Sequence, residues 1–308
     1  MNMEAFVLGC GGMMPLPRRH LTSVLLRREG ELFLFDCGEG TQVSLRKLNL
    51  KWKKITAIFI SHTHADHVTG LPGIMMLSSQ VDREEPLYII GPPKTRDYVE
   101  MSKSVLDMYI NYEIRVIEIK EPGIVYTGDE FAVHAFWLRH SKPCMGYMLM
   151  ENDRPGVFFP EKAAKAGVPR GPMWSKLQHG DEVQLEDGKI VSSQDVMGPL
   201  RPGRKFSYIT DTLYLDSIPG KINNSDLLIC EGMFTEELRD SAKEKKHLTS
   251  TQAAILAKKG NAKKLGLIHY SPRYTEYELK QLLKEAKEIF PNTFLTRDGQ
   301  TITIPYQK

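Results

Sequence analysis

The residues Ser61-His62-Thr63-His64-Ala65-Asp66-His67 follow directly on the apolar run Ile55 to Ile60. Three imidazoles and a carboxylate so close together form a metal-binding set, because imidazole nitrogen and carboxylate oxygen are common ligands of zinc-class divalent ions. The apolar run predicts a strand, which is a rigid mount. In the extended chain that leaves it, residues two apart point the same way, so His62 and His64 can present their rings to one ion. Asp66 and His67, at the turn into a helix, can reach a second. Two ions need further ligands. His140 follows Phe136-Trp137-Leu138, Asp211 ends Tyr208-Ile209-Thr210, and His269 ends Leu265-Gly266-Leu267-Ile268. Each is a polar residue at or just past the end of a strand-like run, and strand ends along one sheet edge converge on one cleft. His20, His134 and His179 lack that context.

The elements that must position these residues are legible as short β-rich runs. They lie at Glu4 to Cys10, Thr22 to Arg27, Leu32 to Asp36, Ala57 to Ser61, Leu87 to Ile90 and Val116 to Ile119, and again at Phe206 to Thr210, Leu227 to Glu231, Lys264 to His269 and Thr301 to Pro305. Helical patterns sit between them at Thr41 to Leu48, His67 to Ser79, Lys94 to Leu106, Ser250 to Lys259 and Glu276 to Phe290. In the last, Leu279, Leu282, Leu283, Ala286 and Phe290 form one apolar stripe, so that helix packs by one face. Strand runs in both halves with helices interspersed predict an α/β fold of stacked sheets with helices outside.

With 308 residues, 41% hydrophobic and 26% charged, the chain can bury a large core, which excludes disordered, collagenous and disulfide-scaffold classes. The longest stretch free of charged residues, His67 to Val81, is 15 residues broken by glycine and proline, too short to span a membrane. The N-terminus reads as a first strand and lacks the basic region of a signal peptide, so the protein is expected in the cytoplasm with no membrane partner. Cys10, Cys37, Cys144 and Cys230 are widely spaced, as buried free thiols would be.

The segment 154–205 breaks the pattern, with 13 Gly+Pro in 52 residues and nine Lys/Arg against six Asp/Glu. Its turn signals, such as Gly171-Pro172 and Glu186-Asp187-Gly188, predict an ordered protrusion with short elements of its own, inserted into a single domain covering residues 1–308.

These motifs together resemble the metallo-β-lactamase-fold hydrolases and, within them, the ribonuclease Z family of tRNA 3′-processing endonucleases. The resemblance covers nearly all of the chain. It runs through Asp36-Cys37-Gly38-Glu39-Gly40-Thr41, the His62 to His67 motif with Gly70-Leu71-Pro72-Gly73, and His140 with Gly146-Tyr147. It continues through Asp211-Thr212, His247-Leu248-Thr249 and His269-Tyr270-Ser271-Pro272-Arg273-Tyr274. It implies an α/β, metallo-β-lactamase-type αββα sandwich, with 154–205 as the protruding flexible arm that clamps tRNA. It further implies two Zn²⁺ per chain, or Mn²⁺ or another divalent ion. His62, His64 and His140 would hold one ion, Asp66, His67 and His269 the other, and Asp211 would bridge them. Asp66 would double as general base and His247, oriented by Glu231, as general acid. Arg19, Gly171, Pro172 and Arg273 would bind substrate, and two copies would form a homodimer with each arm serving the partner's active site.

Some positions depart from the family pattern. Pro15-Leu16-Pro17-Arg18-Arg19-His20 stands where the family has Pro-x-Lys-x-Arg-Asn, and Cys230-Glu231-Gly232-Met233 where it has His-Glu-Ala-Thr. The function that the resemblance implies is a zinc-dependent endoribonuclease cutting precursor tRNA at its 3′ end, leaving a 3′-hydroxyl on the tRNA and a 5′-phosphate on the trailer. The net charge of +3 is compatible with it, because phosphate binding needs only local clusters such as Lys243 to Lys246. Two other readings stand beside it: a hydrolase of small phosphodiesters or other esters on the same fold, for which an arm would be superfluous, and a non-catalytic RNA-binding relative, which would have no need of a full ligand set.

Overall fold

Apolar residues alternate along the first strands, and the alternation sorts them between two cores. The computed structural model describes residues 3–80 and 83–307. In β1 (Met3–Gly9), Met3, Ala5 and Val7 face the larger core while Phe6 and Leu8 face a second one. The same split holds in β3 (Glu31–Phe35), which follows β2 (Ser23–Arg28), and in β4 (Ile55–Phe59). A strand buried on both faces must lie between two layers.

The chain divides into two units, one from Met1–Met150 with Lys205–Pro305 and one from Glu151–Arg204 with Tyr306–Lys308. In the first, β1 to β4 join β5 (Leu87–Gly91), β6 (Ile114–Glu118) and the strand Thr301–Ile304 in a sheet that orders Thr301–Ile304, β1, β2, β3, β4, β5, β6. The second sheet contains β7 (Gly123–Gly128), β8 (Phe131–Arg139) and β9 (Pro143–Glu151), then Lys205–Ile209, Leu227–Glu231, Leu265–Ile268 and Thr293–Leu295. Phe33, Phe35 and Phe59 of the first sheet meet Phe131, Tyr147, Phe206 and Tyr208 of the second, with Phe35 and Phe206 ring centroids 5.1 Å apart. Each such ring removed from water contributes about 1.5–3 kcal/mol. Helices Thr41–Lys47, Leu71–Ser79 and Thr95–Val105 cover the outer face of the first sheet. Helices Ser250–Lys259 and Leu279–Ile289 pack on the second. The layers are α, β, β, α.

The runs read from the sequence appear as strands, and four further strands complete the second sheet: β7, β8, legible in the sequence only at its end from Phe136 to Leu138, β9 and Thr293–Leu295. The helical pattern His67 to Ser79 is two helices, Ala65–Val68 and Leu71–Ser79. They part at Gly70, where a Cβ would lie 2.2 Å from Gly38 O, so this turn presses directly on the neighbouring loop. All four cysteines are buried and free. Among the described residues no helix is long and apolar enough to cross a membrane.

The second unit has its own small core. Ala163, Val168, Leu177, Val183, Val191 and Val196 are buried together; Val168 comes from the connection between helices Pro160–Lys165 and Pro172–Gln178, and the others from those two helices, helix Ser193–Val196 and the hairpin of β10 (Val183–Gln184) and β11 (Ile190–Val191). At its base Arg204, 1% exposed, pairs with Glu151 at 2.8 Å. The Tyr306 ring lies between two guanidiniums, Arg154 at 3.6 Å and Arg204 at 3.9 Å from its centroid.

Candidate metal centre

Three strands of the second sheet, β12 (Lys205–Ile209), β13 (Leu227–Glu231) and β14 (Leu265–Ile268), run parallel with level ends, Ile209 opposite Cys230 and Glu231 opposite Ile268. Asp211, Glu231 and His269 therefore emerge side by side at one edge. In the first sheet Phe35 is opposite Phe59, which sets Asp36 beside the chain leaving β4 for Ser61 and His62. His64 and Asp66 come from the N-terminal end of helix Ala65–Val68, and His140 leaves the end of β8. His247 follows helix Arg239–Lys245.

All seven residues expected as ligands come together. His62, His64, His140 and Asp211 offer one set of atoms within 4.8 Å of one another, and Asp66, His67 and His269 offer another. Asp211 reaches both sets, with Oδ2 3.6 Å from His62 Nε2 and 3.5 Å from His140 Nε2, and Oδ1 3.3 Å from His269 Nε2 and 3.5 Å from His67 Nε2. The cleft here holds about 410 Å³ and is walled also by Met13, Ser141, Lys245, Lys246 and His247.

The hydrogen bonds behind the rings decide which nitrogens face inward. His67 Nδ1 donates to Asp36 Oδ2 at 2.7 Å, and His140 Nδ1 donates to Lys246 O at 3.0 Å. His62 Nδ1 sits 3.0 Å from Ser61 Oγ. The inner nitrogens then meet one another, His62 Nε2 to His64 Nδ1 at 2.9 Å, His140 Nε2 to His64 Nδ1 at 3.3 Å, and His67 Nε2 to His269 Nε2 at 3.2 Å. Burial holds His62, His64 and His140 below the ordinary histidine range, which leaves lone pairs on these neutral rings. Among the described residues Asp211 Oδ1, fully buried, has no hydrogen-bond partner. The lone pairs of these neutral rings and an unpartnered carboxylate oxygen, gathered in a buried site, are unfavourable unless a cation lies among them. The donor set and its orphaned oxygen thus fit divalent ions, with outer partners of the kind that fix ligand rings.

The charges tell the same story. Burial opposes ionisation of Asp66 and Asp211, but His67 and His269 beside Asp66, and His269 and His67 beside Asp211, hold both carboxyls below their usual range. Burial opposes the charge on His67 too, yet Asp66, Asp36 and Asp211 lift it to about 10. A site where carboxylates demand a proton of a buried ring is a site that welcomes a cation in its place. His247, likewise disfavoured by burial, is raised to about 9 by Glu231 and Asp211, and its Nδ1 lies 2.9 Å from Glu231 Oε2. Met13 N–H donates to Asp66 Oδ2 at 2.7 Å, which fixes that carboxylate from the opposite wall.

Ribonuclease Z of Treponema denticola is 66% identical over 307 residues, 100% of both chains. The chain belongs to the ribonuclease Z family. Ribonuclease Z of Treponema pallidum (strain Nichols) is 62% identical over 100% of this chain and 99% of its own, and that of Borrelia hermsii 45% over 98% and 97%. Among solved structures, human tRNase Z, short form, superposes with a TM-score of 0.71 at 28% identity, covering 98% of this chain and 99% of that one. The metallo-β-lactamase fold protein YhfI of Bacillus subtilis, TM-score 0.69 at 20% identity over 98% and 100%, shares the fold. A family model described as Anti-Pycsar protein Apyc1 matches residues 3–105, the part of this ribonuclease Z family chain that carries the His62 to His67 motif.

The residues expected to bind substrate stand in three settings. Arg19 is 4% exposed and donates to Tyr274 O at 3.1 Å and Glu276 Oε1 at 2.8 Å, so it anchors the 13–20 loop and presents no open guanidinium. Arg273 is exposed, with its guanidinium 5.1 Å from the Phe234 ring. Gly171 and Pro172 open a helix in the second unit, Gly171 with φ 147°. Contributors that escaped the sequence reading include Asp36, which shows the signal of a polar residue ending an apolar run, and the Met13 N–H and Lys246 carbonyl, which no side-chain pattern announces.

Proposed function

We propose that this chain is a divalent-metal-dependent endoribonuclease that cuts precursor tRNA at its 3′ end, leaving a 3′-hydroxyl on the tRNA and a 5′-phosphate on the trailer. The observation that carries the reading is Asp211, whose two oxygens face separate histidine sets across one open cleft. In this reading His62, His64 and His140 would hold one Zn²⁺ and Asp66, His67 and His269 a second, with Asp211 able to serve both. Bound there, such ions supply Lewis acidity at a phosphoryl oxygen and lower the pKa of water.

The chain's own groups do the rest. Asp66, steadied by Met13 N–H, accepts the proton of the attacking water. His247 donates Nδ1–H to Glu231, which leaves its other nitrogen to hand a proton to the departing 3′-oxygen. Lys245 and Lys246 line the same cleft and attract the phosphates on either side of the cut. Arg273, Gly171 and Pro172 contact the tRNA, Arg19 holds the loop that carries Met13, and residues 154–205 act as the arm that grips the tRNA body. Two copies act as a homodimer in the cytoplasm.

Incubation of the pure protein with one precursor tRNA and Zn²⁺ or Mn²⁺, with both product ends mapped, tests this. A single cut near the acceptor end with the stated termini is expected. Hydrolysis of small phosphodiesters alone would replace it with the small-ester reading, and tRNA binding without any hydrolysis with the non-catalytic one.

A further inference from the structure

The middle strand of the second sheet, β12, and its neighbour β9 carry tyrosines in direct register, Tyr147 opposite Tyr208. Both are fully buried, and both reach across the sandwich with their hydroxyls to the first sheet. Tyr147 donates to Ile60 O at 2.6 Å. Tyr208 donates to Asp36 Oδ2 at 2.8 Å. Their targets are the two roots of the metal loop. Ile60 is the last residue before Ser61 and His62, while Asp36 accepts from Ser61 N at 2.7 Å, from Ser61 Oγ at 2.8 Å and from His67 Nδ1 at 2.7 Å. A third tie runs parallel, from Met145 N–H to Ser61 O at 2.9 Å.

A hydrophobic core needs no hydroxyl at either position, since phenylalanine would fill the same space against Phe35 and Phe59. Two phenols buried at paired positions persist only when their O–H groups are satisfied, and here each is satisfied by the loop that carries the ligands. We infer that Tyr147 and Tyr208 are positioning residues for the metal centre, which lock the His62 to His67 loop to the opposite sheet. Tyr208 acts on His67 through Asp36. Tyr147 acts on His62 through the Ile60 peptide. The first sheet thus supplies these ligands, and hydrogen bonds from the second hold His62 and His67 in place.

The inference rests on the metal reading above and is tested without relying on turnover. Tyr147→Phe and Tyr208→Phe each remove one oxygen. Cobalt(II) is loaded in place of the native ion, its affinity measured by competition with a chromophoric chelator, and its visible ligand-field spectrum recorded, alongside the thermal melt of the metal-free protein. Each variant should bind about 10- to 100-fold more weakly, the usual effect of losing a partner behind a ligand, with an altered spectrum and a metal-free protein that still unfolds in one cooperative transition. Tyr112→Phe, which removes a hydroxyl bonded to Met75 O at 3.0 Å on a helix of the outer layer, should bind as wild type does. Wild-type protein that takes up no cobalt overturns the metal reading and this inference with it. Wild type that binds, with both variants binding equally tightly and with the same spectrum, overturns the inference alone. A variant that no longer folds without metal also overturns it for that residue, because its role would then be structural.

Discussion

Gly12 is the place where a single methyl group would meet the metal centre. A Cβ built there lies 2.6 Å from Cε1 of His269, 2.7 Å from Nε2 and 2.9 Å from Nδ1, about 0.8 Å short of the 3.4 Å at which ordinary contact begins. The ring has nowhere to go: it is fully buried, 3.2 Å from His67 Nε2 and 3.3 Å from Asp66 Oδ2. The backbone is held as well, since Gly12 N–H donates to Tyr270 O at 3.0 Å and Tyr270 N–H to Cys10 O at 3.1 Å. In Gly12→Ala the His269 nitrogen proposed as a ligand must therefore shift by several times the roughly 0.2 Å that metal–ligand bonds tolerate. A misplacement of about 1 Å lowers catalysis on the order of 100-fold, and overpacking of this kind destabilises by about 1–3 kcal/mol. The assay is the single-turnover rate on precursor tRNA at saturating Mn²⁺, with bound metal counted by elemental analysis. Gly220→Ala is the control, because nothing lies within 4 Å of a Cβ there and the residue is in a helix, so it should gain about 0.5–1 kcal/mol with no change in rate. A Gly12→Ala protein with wild-type rate and metal content would refute the close approach on which this reasoning stands.

Asp211→Ala should lose both bound metal and cleavage, because its oxygens face both histidine sets; retention of the full metal complement in dialysed protein would contradict the shared-ligand role. His247→Ala should slow single-turnover cleavage by at least ~100-fold with tRNA affinity little changed, and Glu231→Gln should slow it less, as measured by rapid quench and filter binding. Replacing residues 156–198 by a short Gly/Ser linker is geometrically simple, since Gly198 N–H donates to Val157 O at 2.7 Å and the two ends already touch. Cleavage of a small activated phosphodiester should persist within a few-fold while cleavage of precursor tRNA falls by orders of magnitude, and equal survival of both rates would exclude the clamp.

Much of this molecule is legible in its sequence because the signals are local. The apolar runs that became strands, and the polar residues that end them, are neighbours along the chain, so His62, His140, Asp211 and His269 can be picked out before any contact is known. What stays hidden is whatever depends on a distant partner. Strands β8 and β9 interrupt their apolar character with His134 and Gly146, and only pairing with each other and with β12 explains them. Arg19 reads as an open basic residue, yet its partners Tyr274 and Glu276 lie 255 and 257 positions away and draw it inside. Tyr147 and Tyr208 read as core aromatics, because ring size shows in a pattern of hydrophobicity and a hydroxyl's target across a sandwich does not.

The stack of Arg154, Tyr306 and Arg204 at the foot of the second unit sets an order of events during synthesis. Residues Glu151 to Arg204 leave the ribosome about a hundred residues before Tyr306, and their small core of valines, Ala163 and Leu177 can collapse by then. The two guanidiniums must wait for the aromatic ring that separates them. Through that interval Arg204 can keep its pair with Glu151, which lies in the same stretch. The small core of the second unit can therefore form before Tyr306 is present, and the stack of Arg154, Tyr306 and Arg204 is completed only afterwards.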